Sequence, residues 1–220
     1  MPAVLVLEYL DARGRSPYAA WFDNLNANAA AKVATALYRL EAGNFSNVKG
    51  VGEGVFERKI DFGPGYRLYF GKSGETIVIL LGGTANSVSR KQSPRRRNDG
   101  RTTSGARVRA SQTRVNMALT RNFKETIAAR ARRDPRFREA LFTEAINAYL
   151  AGETVEGKAI LRDLVNATVG FESLAAEIHM PSKSLHRMLA PRGNPSTDNF
   201  FAIVSALQKK TRVKLRVTAA

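Results

Sequence analysis

The sequence predicts an α+β protein with a mixed front segment and an all-helical rear segment. Three observations support this fold class. Short stretches that alternate apolar and polar residues, as strands do, lie within the first 83 residues. Apolar residues at helical spacing follow residue 117. A polar, arginine-rich stretch separates the two, so we expect a front domain over 1–83, a linker over 84–116 and a rear domain over 117–220.

The front segment begins with an alternating pattern over 3–10, which predicts a strand, and two helices should follow. Ser16 and Pro17 suit the start of the first helix, because proline is tolerated in a first helical turn. An alanine-rich stretch then runs from Asn26 to Gly43, and glycine is a common helix terminator. These signals predict a helical hairpin.

Three strand-like stretches complete the front segment. They span 55–62, 66–71 and 76–81, and the turns GPG at 63–65 and KSG at 72–74 join them. The order β-α-α-β-β-β predicts a mostly antiparallel sheet with two helices packed on one face.

The linker holds much of the net charge of +16. Residues 1–87 carry nine basic and eight acidic side chains, residues 88–119 carry nine and one, and residues 120–220 carry seventeen and ten. The middle stretch has few apolar residues to bury, so we expect it to be disordered. It is either a solvated linker, which we favour, or a basic arm that neutralises phosphates.

The rear segment reads as a series of helices. Thr120 is placed to cap the first, and Asp134 and Pro135 should open the second, which ends at Gly152. A third helix is predicted over 155–169, where apolar residues recur at helical spacing.

The stretch FESLAAEIHMPSKSLHRML, residues 171–189, predicts a helix-turn-helix. The small Ala175 suits a close helix crossing, and His179 stands where a turn glycine is usual. Ser182 can cap the second helix. We expect the outward residues at the start of that helix to enter the major groove of DNA; they are Ser182, Lys183, Ser184, His186 and Arg187.

Composition excludes several classes of protein. The chain has 220 residues, 44% of them hydrophobic, which is enough for packed cores. It has no cysteine and two histidines, so we predict no disulfide and no metal site. We also expect no cofactor. The longest apolar run, IVILL at 77–81, is too short to span a bilayer, and no basic segment precedes the apolar N-terminus. We therefore expect no membrane partner and a cytoplasmic location.

The strand-rich string VKGVGEGVFERKIDFGPGYRLYFGKSGETIVILLGG resembles the sheet of small RelE/ParE-superfamily toxins, in the HigB-like subgroup of addiction module killer proteins. The resemblance covers about residues 5–83. It implies a metal-independent, ribosome-dependent mRNA endonuclease, in which basic residues on the sheet hold RNA while the ribose 2′-hydroxyl attacks the neighbouring phosphate. ParE-like relatives imply gyrase inhibition as an alternative activity.

Arg67 is the residue to which the family's catalytic role transfers best, with Lys59 and Arg58 as weaker candidates. A guanidinium can meet two non-bridging phosphate oxygens at once, which stabilises the charge that forms during cleavage. Lys59 and Arg58 are neighbours on one strand and face opposite sides, so at most one can share a cleft with Arg67.

The resemblance to the toxins stops after Gly83. The family continues with a basic residue and a C-terminal helix of alternating charge and apolar residues, whereas here Gly83 runs into Thr84. Loss of that helix exposes apolar sheet surface and removes part of the RNA site. We therefore expect the front segment to be a degenerate or restrained toxin.

The string SKSLHRMLAPRGNPSTDNFFAIV resembles HigA-type antitoxins and transcriptional regulators, over about residues 117–217. This implies an XRE-like helical domain that binds its own operator as a homodimer. Arg192 suits a phosphate contact, and Ser196 suits the cap of a last helix over 198–210. The stretch 212–218 is either a short strand that pairs across a dimer or an apolar tail.

The two resemblances together predict a fused toxin-antitoxin protein, since such toxins and antitoxins are encoded side by side. A frameshift that joined two reading frames would explain the missing toxin end and the start-like Met117. Two functions remain open. In the first, the rear segment is a DNA-binding repressor and the front segment is inert or restrained; in the second, the front segment is an active ribonuclease or gyrase inhibitor. The expected partners are operator DNA, mRNA or the ribosome, and a toxin-antitoxin contact within or between chains.

Overall fold

The computed structural model describes residues 4–84 and 119–215, and the fold of these residues is α+β. They form six strands and eight helices. The strands are β1 (Leu5–Tyr9), β2 (Val48–Gly52), β3 (Val55–Ile60), β4 (Tyr66–Ser73), β5 (Thr76–Thr84) and β6 (Thr120–Asn122). The helices are α1 (Pro17–Asp23), α2 (Ala27–Glu41), α3 (Phe123–Arg133), α4 (Pro135–Leu150), α5 (Thr154–Ala167), α6 (Phe171–Glu177), α7 (Ser182–Met188) and α8 (Thr197–Thr211).

The six strands form one sheet in the order β2-β3-β4-β5-β1-β6. β1 runs parallel to β5, and the other neighbouring pairs are antiparallel, so the sheet is mostly antiparallel as the sequence predicts. Two strands were not predicted. β2 (VKGVG) is rich in glycine and β6 (TRN) has only three residues, so neither shows the apolar alternation that marks a strand.

Helix α1 packs tightly against one face of the sheet, called here the inner face. Trp21 of α1 lies over Gly82 of β5, where a Cβ atom would come within 2.2 Å of the indole ring. Trp21 also makes an edge contact with Tyr66, with the ring centres 6.3 Å apart. Leu68 is paired with Gly82 in the sheet and is fully buried on the same face. A side chain larger than hydrogen at Gly82 would therefore displace the helix.

Helix starts follow the capping residues of the sequence in most cases. The side chains of Ser16, Asn26, Asp134 and Ser196 each accept a hydrogen bond from the backbone N–H three residues on. The predicted cap at Thr120 is wrong, because Thr120 pairs in β6 and Asn122 caps α3 instead. Ser182 does not cap α7 either: the capping position is Pro181, which offers no side-chain acceptor.

The front and rear segments share one hydrophobic core. β6 of the rear segment pairs with β1 at the edge of the front sheet. Phe22 of α1 meets Phe137 of α4 at right angles, with the ring centres 5.7 Å apart. Tyr38 of α2 meets Phe123 of α3 at 5.4 Å. The front and rear segments are therefore in contact within one chain.

Arg130 of α3 binds the end of α1 across this core. It is 5% exposed, and its guanidinium donates to the carbonyl oxygens of Phe22 at 2.5 Å and Leu25 at 2.6 Å. It also bonds Asp134 at 3.3 Å. A cation at a helix C-terminus is stabilised by the carbonyl groups that have no partner within the helix.

Polar contacts surround the shared core. Glu8 of β1 is fully buried, and it accepts hydrogen bonds from Arg121 and Thr126. The hydroxyl of Tyr38 donates to Asp163 of α5 at 2.9 Å. Four ion pairs also join the two segments: Lys32–Glu144, Arg39–Glu153, Lys124–Glu41 and Arg133–Asp23. Opposite charges therefore face one another across much of the contact.

Several sequence-based expectations lie outside the described residues. These are the disorder of the linker over 85–116, the start-like Met117 and the end of the tail over 216–218. The described part of that tail, up to Leu215, is not a strand, and Val213 is buried. In the described ranges, each helix is too short or too polar to cross a bilayer.

Candidate nucleic-acid interfaces

Helices α6 and α7 form a compact two-helix unit where the sequence predicts a helix-turn-helix. Leu174 and Ala175 on α6 are buried, as are Leu185 on α7 and Leu189 just after it. The unit therefore presents one apolar side to the core. Ala175 lies on that side as expected, and its small side chain allows the two helices to approach closely.

The turn between the two helices contains a residue in the left-handed conformation. His179 has φ +52°, a backbone conformation that glycine adopts readily and other residues adopt rarely. Its N–H donates to the carbonyl of Ala176, and the N–H of Met180 donates to Ala175. His179 thus adopts the conformation for which a turn glycine is usual.

The outward side of α7 is basic. Lys183 and Arg187 are exposed, one helical turn apart, and neither side chain bonds another described residue. Ser182 and Ser184 are half-buried beside them. This side offers two free cations and two hydroxyl groups along the helix, with Lys183 near its start and Arg187 in its last turn.

His186 is half-buried, and its ring takes part in the packing between the two helices. Its ring stacks on Phe171 of α6 at 3.7 Å between ring centres, and its backbone oxygen accepts a hydrogen bond from Arg162. Arg162 also lies over the Phe171 ring. The imidazole therefore fixes α7 against α6, which leaves Lys183 and Arg187 as the main outward groups.

A buried lysine binds the backbone of the loop that follows α7. Lys158 of α5 is 4% exposed, and its ammonium donates to the backbone oxygens of Pro191 at 3.0 Å and Gly193 at 2.5 Å. Burial lowers the pKa of Lys158. Arg192 lies between the two anchored residues and is exposed. The loop can therefore present Arg192 in a fixed position to a phosphate.

The predicted ribonuclease residues divide between the two faces of the sheet. Arg67 and Lys59 are directly paired on β4 and β3 and share the face opposite α1, called here the outer face. Arg58 lies on the inner face. It is 3% exposed, donates to the backbone oxygen of Asn44 at 2.7 Å, and burial lowers its pKa to about 10. Arg58 therefore cannot share a cleft with Arg67.

Arg67 is engaged by a buried carboxylate. Its guanidinium donates to both oxygens of Glu57 at 2.8 and 2.9 Å, and the hydroxyl of Tyr69 donates to the same carboxylate at 3.0 Å. The Nζ of Lys49 lies 3.4 Å from Glu57. Lys59 is paired instead with Asp61 at 2.7 Å. Both candidate cations therefore already have an anionic partner.

The cluster shifts the pKa values of its members. Burial opposes ionisation of Glu57, but hydrogen bonds from Arg67 and Tyr69 outweigh it, so the pKa of Glu57 lies below its ordinary value. The hydrogen bond and charge of Glu57 in turn raise the pKa of Arg67. Both groups are therefore charged at neutral pH, and they neutralise one another.

Sequence reasoning missed Glu57, Tyr69 and Lys158. Glu57 and Tyr69 are paired across β3 and β4, a relation that depends on strand register. Glu57 lies two residues before Lys59, and Tyr69 lies two residues after Arg67, on predicted strands. Side chains two residues apart on a strand share a face, so this spacing could have placed Glu57 and Tyr69 beside Lys59 and Arg67. Nothing in the local sequence marks Lys158, because its partners lie more than thirty residues away. Within the described ranges, His, Asp and Glu form no group of three that could hold a metal ion.

The chain is similar to an uncharacterized protein of Haemophilus influenzae. The two are 42% identical over 72 residues, which is 32% of this chain and 73% of the relative. At this identity and coverage of the relative, the chain belongs to one family with that protein over the aligned residues. No protein-family model matches the chain, and no solved structure matches it.

Proposed function

We propose that this protein binds DNA sequence-specifically through a helix-turn-helix made of α6 and α7. The observation that carries the proposal is the unit itself: two short helices with buried apolar sides, a left-handed turn residue at His179, and exposed Lys183 and Arg187 on the second helix. In such units the second helix lies in the major groove and its first residues contact base edges. Lys and Arg are well suited to guanine O6 and N7.

The wider proposal is a fused toxin-antitoxin protein of the HigB and HigA type. The element order of the front segment, β-α-α followed by antiparallel strands, supports a RelE/ParE-like fold, and the rear segment carries the proposed DNA-binding unit. The packing of α3 and α4 against α1 and α2 supports a restraining contact within one chain. In this proposal the protein is an autorepressor that acts in the cytoplasm as a homodimer.

The DNA-binding proposal is tested with the full-length chain and a DNA fragment taken from directly upstream of its own gene. Replacing Lys183 and Arg187 by alanine should each weaken binding by about 1–3 kcal/mol if they contact base edges. Fluorescence anisotropy at fixed salt measures the affinity.

The matched control is the double variant R13A/K72A, which removes two exposed cations from the front segment. It lowers the net charge by the same amount and should bind the upstream fragment almost as well as the unaltered chain. Equal affinity for K183A/R187A and for the unaltered chain would refute the assignment of α7 as the recognition helix.

A second candidate function is RNA cleavage at the outer face of the sheet. It is favoured by the side-by-side placement of Arg67 and Lys59, where two cations can meet one phosphodiester. An entering phosphate has to displace Glu57 from Arg67, so the same geometry supports a restrained site.

Cleavage of mRNA on translating ribosomes, followed by primer extension, tests the second candidate. If the full chain cleaves mRNA, R67A should abolish the activity without unfolding the protein. The control K49A removes a cation from the same cluster but not the guanidinium. Cleavage that survives in R67A contradicts this mechanism.

A further inference from the structure

A shallow basic groove lies beside the first helix of the proposed DNA-binding unit. It has a volume of about 520 Å³, and α3, α4, the end of α5 and the end of α8 contribute to it. Its lining residues are Arg132, Arg138, Ala167, Thr168, Val169, Lys210, Thr211 and Arg212. Four of the eight are basic and none is acidic. The groove is called here the α3–α8 groove.

Two of the four cations have no partner. The guanidinium groups of Arg132 and Arg212 bond no other described side chain, and both residues are exposed. Arg138 donates to the backbone oxygens of Ala131 and Arg132, which keeps its positive charge in place without neutralising it. Lys210 is paired with Glu177 at 3.2 Å. The groove therefore keeps a positive charge that its own surroundings do not balance.

The position of the groove favours nucleic acid as the source of the balancing charge. Thr168 and Val169 lie just before α6, and Lys210 contacts Glu177 at the end of α6. In helix-turn-helix complexes the first helix crosses the DNA backbone. A basic groove next to the start of α6 is therefore suited to phosphates on the strand beside the major groove.

The chemistry of the lining favours the phosphate backbone over the bases. The eight lining residues include no aromatic ring on which an unpaired base could stack, and no Asn or Gln for base edges. Arginine and lysine neutralise phosphates regardless of sequence. The open shape of the groove also suits a polymer that passes through it.

We propose that the α3–α8 groove is a second DNA contact, which binds the phosphate backbone of duplex DNA independently of sequence. The proposal rests on the proposed DNA-binding function for its choice of partner. Arg132 and Arg212 supply the free charges, and Arg138 adds a third that its backbone bonds hold in position. This contact adds affinity for any duplex, while α7 supplies the discrimination.

The test compares the salt dependence of binding to a short duplex of scrambled sequence. In the full chain, R132A/R212A should make the slope of log affinity against log salt shallower by about 2, since each neutralised phosphate contributes about 0.9. R132K/R212K, which keeps the charges, should retain the original slope. The charge-matched control R13A/K72A should also retain it. Circular dichroism verifies that each variant is folded.

A slope that is unchanged in R132A/R212A, or changed equally in R13A/K72A, overturns the proposal. Two further probes identify other ligands. Greater loss of binding to single-stranded RNA than to duplex DNA would assign the groove to RNA. Saturable binding of inorganic pyrophosphate that R132A/R212A removes, with duplex binding intact, would assign it to a small anion. Either result contradicts the proposal.

The two DNA proposals fail separately. K183A/R187A with the upstream fragment tests sequence recognition by α7, whereas R132A/R212A with scrambled duplex tests the groove. If K183A/R187A leaves the affinity for the upstream fragment unchanged while R132A/R212A makes the salt slope shallower, the recognition helix is misassigned and the groove still binds backbone phosphates. If K183A/R187A weakens binding and R132A/R212A leaves the salt slope unchanged, the groove is not a DNA contact.

Discussion

Glu57 organises the polar cluster on the outer face of the sheet. Its side chain is almost fully buried, and Arg67, Tyr69 and Lys49 surround it. A carboxylate in this position is stable because it is ionised and paired. Replacing Arg67 removes two hydrogen bonds from the buried carboxylate, which keeps the hydroxyl of Tyr69 and the ammonium of Lys49 as partners.

The cluster predicts how stability depends on pH. The pKa of Glu57 is lower in the folded protein than its ordinary value of 4.5, so the unfolded chain binds more protons in that range. The stabilisation from this group is fully present above about pH 4.5 and is lost as pH falls through the folded pKa. In E57Q the free energy of unfolding should change less than in the unaltered chain between pH 5 and pH 3, as measured by urea denaturation.

The control for this measurement is D61N, which removes an exposed carboxylate on the same strand end that pairs with Lys59. Exposed pairs contribute little, so D61N should follow the pH dependence of the unaltered chain. If the free energy of unfolding depends on pH in E57Q as it does in D61N and in the unaltered chain, Glu57 does not couple folding to protonation.

At the scale of elements, Arg130 joins α3 to the end of α1. Replacing it by methionine keeps much of the buried volume but leaves the carbonyls of Phe22 and Leu25 without donors. We expect R130M to lower the free energy of unfolding by about 3 kcal/mol, since hydrogen bonds to charged groups contribute about 1.5–3 kcal/mol each. Urea denaturation followed by tryptophan fluorescence reports the change, because Trp21 lies on α1.

A neighbouring arginine provides the matched comparison. Arg133 also reaches the front segment, where it pairs with Asp23, but both side chains are largely exposed. R133M should cost less than about 1 kcal/mol. Similar losses in R130M and R133M would mean that burial of Arg130 contributes nothing beyond an ordinary surface pair.

The elements also show what the sequence could predict. Helix starts at Ser16, Asn26, Asp134 and Ser196 were predicted correctly, because a cap depends on a side chain and the backbone three residues away. Thr120 was misassigned because its strand exists only through pairing with β1, which is more than a hundred residues earlier in the chain. Local patterns carry no information about such a partner.

The contrast between local patterns and distant partners also explains which features of the candidate sites could be predicted. Lys183 and Arg187 were predicted to be outward, and both are exposed, because helix periodicity determines which side chains face the core. The engagement of Arg67 by Glu57 was not foreseen, since it depends on the register of two strands. His186 was predicted outward on periodicity alone, which could not anticipate a stacking partner on the preceding helix.

At the scale of the whole molecule, the shared core predicts that the front and rear segments stay together after the chain is cut between them. The sequence alone suggests two independently folding units, with trypsin cutting first between Arg90 and Arg114. The structure adds a buried contact that includes Phe22 with Phe137 and the β1–β6 pairing. The two fragments should therefore elute as one complex in size-exclusion chromatography.

Repeating the chromatography of the cut chain at several salt concentrations tests whether apolar contacts or ion pairs hold the fragments together. The apolar part of the contact is insensitive to salt, whereas exposed ion pairs such as Arg133–Asp23 are screened. The nicked complex should persist at high salt. Separation of the two fragments in ordinary buffer would indicate independent units that only touch.

Because β6 and β1 belong to one polypeptide, the two segments cannot be separated by dilution. In a pair of separate proteins, the fraction associated depends on the concentration of each. Here the pairing is unimolecular, and the chain itself sets the effective concentration of one segment at the other. The ratio of the segments is fixed at one to one in every molecule, so neither can accumulate in excess by differences in synthesis. Separation of the two segments then requires a conformational opening, with a rate that is the same at every protein concentration.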